Sequence, residues 1–163
     1  MSQWEIRVAL CLSLFLSAHT QGAQAAQPTA VDVVEMLAVK GRAPKTGYAR
    51  DQFGTAWKDT DHNGCDTRND ILNRDLISII YKVSSQDCVV MSGVLIDPYS
   101  GETISFLRGV TTSSDVQIDH VVALSNAWQT GAFKLTIEKR TALANDPLNL
   151  LAVKGRLNSQ KGA

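Results

Sequence analysis

The chain has 163 residues, a length that favours one domain with a buried core. Lys and Arg together number 16, as do Asp and Glu, so the formal net charge is zero. A neutral chain excludes a whole-molecule electrostatic case for nucleic-acid binding, and any such case must come from a local patch.

The first 25 residues have the pattern of a secretory signal peptide of bacterial type. Arg7 precedes an apolar run from Val8 to Leu16, and Ala23-Gln24-Ala25 supplies a small-x-small cleavage site. The alternative is an uncleaved anchor helix, but the apolar run is shorter than the roughly 20 residues that span a bilayer. We therefore predict cleavage after Ala25, release to the extracellular space and no stable membrane association afterwards.

Cleavage would remove Cys11 and leave Cys65 and Cys88 in a compartment that oxidises thiols. Two cysteines allow one pairing, so we predict a Cys65–Cys88 disulfide. The alternative, a metal site built on the two thiolates, would need further ligands, and His62 is the only histidine nearby.

Residues 26–44 are predicted to form a polar leader with a short helix from Val31 to Val39, which Gly41 and Pro44 end. Residues 45–163 are predicted to form the main domain. Three aromatic side chains near its start are expected to anchor this region in the core: Tyr48, Phe53 and Trp57.

The segment from Asp59 to Asp70 permits two interpretations. Oxygen-bearing side chains alternate at Asp59, Asp61 and Asn63 and are followed by Gly64, which is typical of the first half of a calcium loop. The twelfth position is Asp70, whose side chain is shorter than the usual glutamate. The alternative is a polar turn on Asn63-Gly64 that leads into a helix capped near Asp66 or Thr67.

Apolar residues recur at three- and four-residue spacing from Thr67 to about Lys82, which predicts an amphipathic helix. Segments 88–96 and 103–107 have the composition of strands, and the turn at 97–101 predicts that they form a hairpin. The rest of the chain is predicted in this order: a strand near 116–119, helices at 124–128 and 133–143, a turn at 145–147, a strand at 148–153, a loop at 154–156 and a last helix opened by Asn158.

The order strand, insertion, strand, helix carries three motifs: IDHVVALSNAW at 118–128, NDPLNLLAV at 145–153 and Asn-x-x-Lys-Gly from Asn158. In this it resembles the HNH endonucleases, and especially the family named for the GmrSD restriction endonuclease C-terminal domain, with its secreted bacterial members. The resemblance extends from about Leu37 to Gly162. It implies an α+β fold with a ββα-metal core, preceded by a β-hairpin and amphipathic helices.

The same resemblance implies a role for each motif residue. His120 would be the general base, Asp119 and Asn158 the metal ligands, and Asn149 the residue that orients the base and braces the loop between the strands. The implied activity is hydrolysis of phosphodiester bonds of nucleic acid, with DNA as the expected substrate. Hard oxygen ligands without a second histidine favour Mg²⁺ or Mn²⁺ over zinc.

The chemistry of phosphodiester hydrolysis needs these residue types. A neutral imidazole can deprotonate water near pH 7, and a divalent cation neutralises the charge on the phosphate and the departing oxygen. The segment from Lys134 to the end contains six basic residues and two acidic ones, and such a local excess of positive charge can contact phosphates. Arg108 and Lys161 are the candidates for binding the scissile phosphate.

Taken singly, His120, Asn149 and Asn158 could each be a structural strand, turn or cap residue, and His62 is expected to be a solvated loop residue. Their joint spacing favours the active site. Five residues follow Asn158, whereas the family's chains continue further, so we expect a C-terminally truncated domain with an incomplete last helix. The alternative function is a truncated, non-catalytic secreted protein that binds nucleic acid or calcium.

Overall fold

The computed structural model describes residues 27–162, so the predicted signal peptide lies outside the described residues. The described chain divides into two units, 27–40 and 41–162. The first contains helix α1 (Ala30–Met36), which begins at a capping box in which the side chains of Thr29 and Asp32 each accept from the other's backbone N–H. A helix in this leader is confirmed, but it ends at Met36 and not at the predicted Val39. Across residues 27–162, the helices are all too short or too polar to cross a bilayer.

In the second unit a short 3₁₀ helix (Arg50–Phe53) precedes helix α2 (Thr67–Asp75), which is followed by strands β1 (Leu76–Tyr81), β2 (Val90–Ile96) and β3 (Thr103–Leu107). The strands form an antiparallel sheet in the order β1-β2-β3. The predicted hairpin is confirmed as β2–β3, and β1 adds a third strand to it.

The prediction of one helix from Thr67 to Lys82 is wrong in its second half. The helix ends at Asp75, and Leu76 is already extended. Ile77, Ile79 and Ile80 are β-branched and lose side-chain freedom in a helix, whereas they pack well on a pleated sheet. Pairing with β2 therefore outweighs the helical spacing of these residues.

A second sheet has two antiparallel strands, β4 (Val116–His120) and β5 (Leu150–Lys154). Between them lie α3 (Leu124–Gln129) and α4 (Ile137–Ala144), and β5 leads directly into α5 (Gly155–Lys161). This is the predicted order of strand, insertion, strand and helix, and the α+β fold class with a ββα core is confirmed.

Three predicted boundaries in this unit are wrong. The strand expected from residue 148 starts at Leu150, and a 3₁₀ helix (Pro147–Asn149) precedes it. The helix expected from residue 133 starts at Ile137, because the Thr136 side chain accepts from Lys139 N and caps it there. The last helix starts at Gly155 in place of Asn158, so no loop separates it from β5. Asn158 consequently lies in the middle of a helical segment.

Two apolar clusters fix the ββα unit. The larger one is formed by buried residues of α2 and of both sheets: Ile71, Leu72, Leu76, Val90, Leu95, Phe106, Val116, Ile118, Leu150 and Ala152. The smaller one lies under α3: Phe53, Leu124, Ala127, Trp128 and Ala132. Tyr48 packs on the smaller cluster and Trp57 on the larger, which confirms the predicted aromatic anchors.

Polar contacts also attach α2 to β5. The Arg74 guanidinium donates to the carbonyls of Pro147 and Leu150, both at 2.7 Å, and Asp75 Oδ2 accepts from Ala152 N at 2.8 Å. These contacts satisfy the outer edge of β5, which would otherwise expose unpaired backbone groups.

Cys65 and Cys88 form the predicted disulfide, with their Cα atoms 5.3 Å apart. The bond joins the start of α2 to the segment before β2. Closing a loop of 23 residues stabilises the fold by about 3 kcal/mol in the chain-entropy model.

Gly155, where β5 turns into α5, has no room for a side chain. A Cβ at this position would lie 1.9 Å from the backbone oxygen of Ser114. We expect Gly155→Ala to displace the start of α5 and to lower the free energy of unfolding by about 1–3 kcal/mol, measured by urea denaturation.

The matched control for that substitution is Gly41→Ala, because nothing lies within 4 Å of a Cβ built there. Equal stability of the two variants would contradict the close packing of α5 against the segment before β4.

Candidate active site

Asp119 and His120 are the last two residues of β4, and both side chains are buried, at 4% and 8% exposure. Successive side chains of a strand project to opposite faces. Accordingly, Asp119 contacts Tyr99 and Lys161, whereas His120 contacts Ala144 and lies beside Trp57. The strand therefore gives the two adjacent residues separate environments.

The hydrogen bonding of His120 determines which ring nitrogen is basic. His120 Nε2 lies 2.9 Å from the Ala144 carbonyl oxygen, which can only accept, so Nε2 carries the proton. In the neutral ring, Nδ1 then holds the free lone pair. Burial lowers the pKa of His120, and the charges of Arg50 and Lys161 lower it further, against the opposing effects of Ala144 and Asp119. The imidazole is therefore a neutral base at pH 7.

Asn149 fixes the loop that follows His120. Its Oδ1 accepts from Val122 N at 2.7 Å, and its Nδ2 donates to Val122 O at 3.2 Å. Its backbone oxygen accepts from Val121 N at 2.9 Å. Three hydrogen bonds from one buried residue hold the backbone just beyond His120 in a single conformation.

Asp119 is held by two donors on the same oxygen. Its Oδ2 accepts from Tyr99 Oη at 2.5 Å and from Lys161 Nζ at 2.6 Å. Burial, followed by the hydrogen bond to Asp119, raises the pKa of Tyr99 to about 12, so the phenol remains a donor. Lys161 Nζ also donates to the carbonyls of His120 at 2.8 Å and Val121 at 3.1 Å.

A divalent metal would need oxygen atoms that are not already engaged. Within residues 27–162, Asp119 Oδ1 and Asn158 Oδ1 accept no hydrogen bond, while Asn158 Nδ2 donates to Gln117 Oε1 at 2.8 Å. A carboxylate and an amide oxygen suit a hard cation that keeps several waters. The set is sparse, since the described chain holds no group of three or more His, Cys, Asp or Glu arranged for a metal.

Two cavities flank His120. The Asp119 cavity, of about 240 Å³, is lined by Asp119, His120 and Asn158 together with neighbours from α3. The Trp57 cavity, of about 230 Å³, is lined by Phe53, Trp57, His120, Leu124, Ala144 and Asn145, among others. His120 thus separates a polar cavity from an aromatic one.

Arg50 lines both cavities and was not identified from the sequence. Its side chain is exposed and forms no ion pair with any residue from 27 to 162. Its positive charge lowers the pKa of His120. The sequence signal was its position between the anchors Tyr48 and Phe53, which places it at the surface of the core.

The two predicted phosphate-binding residues lie in different settings. Arg108 donates to Val90 O and Asn69 Oδ1, both at 2.6 Å, and lines neither cavity at His120. Lys161 is at the site, but its ammonium is bound to Asp119 and to two backbone carbonyls. The observed contacts of Arg108 are structural, and a phosphate role for either residue stays a prediction.

In the segment from Asp59 to Asp70 the structure shows the turn and the helix cap of the second interpretation, while calcium binding stays a prediction. Asp66 caps α2 by accepting from Asn69 N, as the turn interpretation predicted. Gly64 N donates to Asp59 Oδ2 at 3.0 Å, and Asn63 Nδ2 donates to Asp61 at 3.2 Å and to Asp70 at 3.1 Å. Asn63 thus contacts Asp61 and Asp70, whereas Asp59 contacts the backbone of Gly64. His62 is an exposed loop residue, as predicted.

Charge is concentrated unfavourably in this loop. Burial raises the pKa of Asp70, and the neighbouring carboxylates of Asp61, Asp66 and Asp59 raise it further. Asp59 Oδ1 is buried and has no hydrogen-bond partner among residues 27–162. Among the described residues no group of three or more His, Cys, Asp or Glu is placed to hold a metal, and this includes the loop.

The fold contains a ββα unit, and Asp119 and His120 are the last two residues of its first strand. Residues 66–163, more than half of the chain, match the family described as GmrSD restriction endonucleases, C-terminal domain. The chain belongs to that family.

A relative from Arthroderma benhamiae, named "Uncharacterized secreted protein", is 40% identical to this chain over 136 residues. The aligned part is 82% of this chain and 61% of the relative, so the chain spans about 61% of that protein's length. No solved structure matches the chain.

The His120 environment has a measurable consequence in the metal-free protein. We expect NMR titration of the His120 Cε1 proton to give a pKa below the ordinary value of 6.5, because burial disfavours the charged ring. The unfolded chain then binds the proton first, so this residue's contribution to stability is complete above pH 6.5 and is lost as the pH falls through the folded-state pKa.

The reference for that titration is the same resonance in urea-unfolded protein. A folded-state pKa at or above the unfolded one would contradict the buried, Nε2-bonded imidazole.

Proposed function

We propose that the chain is a secreted, divalent-metal-dependent endonuclease that hydrolyses phosphodiester bonds of nucleic acid, with DNA as the expected substrate. One observation carries the proposal: His120, with Nδ1 as its basic nitrogen, lines the same cavity as Asp119 and Asn158. Family membership supports a nucleic-acid substrate, and the Arthroderma benhamiae relative, named a secreted protein, supports export.

The general base in this proposal is His120. Nδ1 takes a proton from the attacking water, and the resulting imidazolium is stabilised by its Nε2–H donation to Ala144 O. Asn149 keeps the ring in place by fixing the backbone at Val121 and Val122. A base that does not have to reorient loses no free energy to ordering during the reaction.

Asp119 and Asn158 would hold the metal, Mg²⁺ or Mn²⁺. When bound, such an ion supplies neutralisation of the charge on the scissile phosphate and the departing oxygen. The protein's own contribution is a carboxylate kept in position by Tyr99 and Lys161.

Arg50 is our candidate for positioning the phosphate. Its exposed guanidinium lines both cavities and is unpaired by carboxylates within the described residues, so it can donate to phosphate oxygens in a fork. Arg108 lacks that freedom, and Lys161 would have to leave Asp119 to acquire it.

Cleavage of supercoiled plasmid by the purified protein tests this function. We expect nicking with added Mg²⁺ or Mn²⁺, none with excess EDTA, and a rate loss of about 100-fold or more in His120→Ala, the range for removal of a general base. His62→Ala, a change at an exposed loop histidine, is the matched control and should cut like the wild type.

Undiminished cleavage by His120→Ala would refute the assignment of the base. If wild type and His120→Ala both bind DNA and neither cuts it, the alternative function, a non-catalytic secreted nucleic-acid-binding protein, is supported. The ion pair of Lys161 with Asp119 favours that alternative, because it satisfies the buried carboxylate without a metal.

We propose separately that the Asp59–Asp70 loop binds Ca²⁺ as a structural ion. Asp59, Asp61, Asn63 and Asp70 hold loop positions 1, 3, 5 and 12. Binding requires Asn63 Nδ2 to release the carboxylates of Asp61 and Asp70 and to turn its oxygen towards the ion. The gain would be compensation of the Asp70 carboxylate, whose pKa is raised first by burial and then by the neighbouring carboxylates.

Calcium should therefore raise the thermal unfolding midpoint of the wild type, since a ligand of the folded state stabilises it by mass action. We expect the increase to disappear in Asp59→Ala and to persist in Asp115→Ala, an exposed carboxylate outside the loop. An unchanged wild-type midpoint at millimolar calcium would end the proposal.

A further inference from the structure

The Trp57 cavity is not used by the hydrolytic chemistry described above. Its volume of about 230 Å³ is below the roughly 300–1,000 Å³ of sites for drug-sized ligands, so it suits one flat ring system. Its walls include the apolar side chains of Phe53, Trp57 and Leu124, and it shares His120 and Arg50 with the Asp119 cavity. A group bound here would lie next to the proposed scissile phosphate.

Trp57 supplies an aromatic surface to this cavity. Its ring is nearly parallel to the His120 imidazole, with 18° between the planes and 6.2 Å between the centroids. Its backbone has φ +56°, a left-handed conformation that is uncommon for a large side chain. This conformation occurs at the residue that forms the cavity wall beside His120, the proposed general base.

Asn145 adds a buried polar atom that has no hydrogen-bond partner among residues 27–162. The residue is 3% exposed, and its Nδ2 donates to Thr141 O at 2.9 Å. Because a carbonyl oxygen can only accept, this contact identifies the amide nitrogen, and the other amide atom is Oδ1. Oδ1 is buried and accepts no hydrogen bond from any residue in 27–162. A buried acceptor without a donor is costly, and such groups in native proteins call for an explanation.

We propose that the Trp57 cavity is a nucleobase subsite, an inference that rests on the proposed nuclease function. The base of a nucleotide next to the scissile phosphate leaves its stack and lies against Trp57. Its exocyclic amino group donates to Asn145 Oδ1, and Arg50 holds the phosphate that joins this nucleotide to the Asp119 cavity.

This subsite defines a substrate class. A base that enters a pocket must be unpaired, so the preferred nucleic acid is single-stranded or locally opened. Stacking on an aromatic ring accepts every base, whereas the Asn145 acceptor favours adenine, cytosine or guanine over thymine, which has no exocyclic amino group.

Fluorescence anisotropy with labelled oligodeoxynucleotides tests the subsite in EDTA, where the proposed cleavage is blocked. We expect the full chain to bind oligo-dC more tightly than oligo-dT, and either more tightly than the corresponding duplex. Trp57→Ala should weaken binding of both single strands by about tenfold, within the range for loss of one stacked base, and Trp57→Phe should recover part of it.

Asn145→Leu should lower the affinity for oligo-dC to that for oligo-dT and leave oligo-dT binding unchanged. Tyr81→Ala removes an aromatic ring that lines neither cavity and should bind like the wild type. Thermal unfolding of each variant identifies any that fails to fold. If Trp57→Ala fails to fold, Trp57→Phe, which retains an aromatic ring, takes its place in the test.

The outcomes separate the subsite from the function on which it rests. If wild type cuts DNA through His120 but Trp57 and Asn145 variants bind both oligonucleotides as it does, the subsite is overturned and the nuclease stands. Tighter binding of duplex than of single strands also overturns the subsite. If the wild type neither binds nor cuts nucleic acid, the nuclease proposal fails and the subsite fails with it.

Discussion

The pairing of β4 with β5 is the constraint on which the candidate site depends. Its register places His120 opposite Leu150, so the preceding residue, Asn149, lies level with the loop after His120 and can bind its backbone. The same pairing directs α5 back past β4, which brings Asn158 and Lys161 to the Asp119 side. A slip of one residue would exchange the faces of Asp119 and His120 and separate every one of these groups.

The order of strands around the site could be predicted from local patterns, and the structure places Asp119 and His120 at the end of β4. The roles of Asp119, His120 and Asn149 came from the resemblance of their motifs to the HNH endonucleases, and they stay predictions. The segment from Leu76 to Tyr81 was misassigned because its apolar spacing fits a helix while its β-branched side chains favour a strand, and only pairing with β2 decides between them. Arg50 and Ala144 could not be predicted, because their proximity to His120 depends on tertiary packing.

The number of basic residues in a segment does not determine which of them can contact phosphate. A count of basic residues does not reveal which cations already have internal partners. Arg108 serves the backbone of β2 and the side chain of Asn69, and Lys161 neutralises Asp119. Arg50, which lies between the aromatic residues Tyr48 and Phe53, has an exposed side chain that lines both cavities beside His120.

The ion pair between Lys161 and Asp119 links stability to the proposed chemistry. Burying a carboxylate that is 4% exposed is costly unless it is paired, and the Lys161 ammonium supplies the partner while Oδ1 stays unengaged. A metal at Oδ1 and Asn158 would bring a second positive charge close to the ammonium, so the lysine either shares the carboxylate or moves away. The ion pair thus compensates the buried carboxylate without a metal, and it would lower the affinity of the proposed metal site.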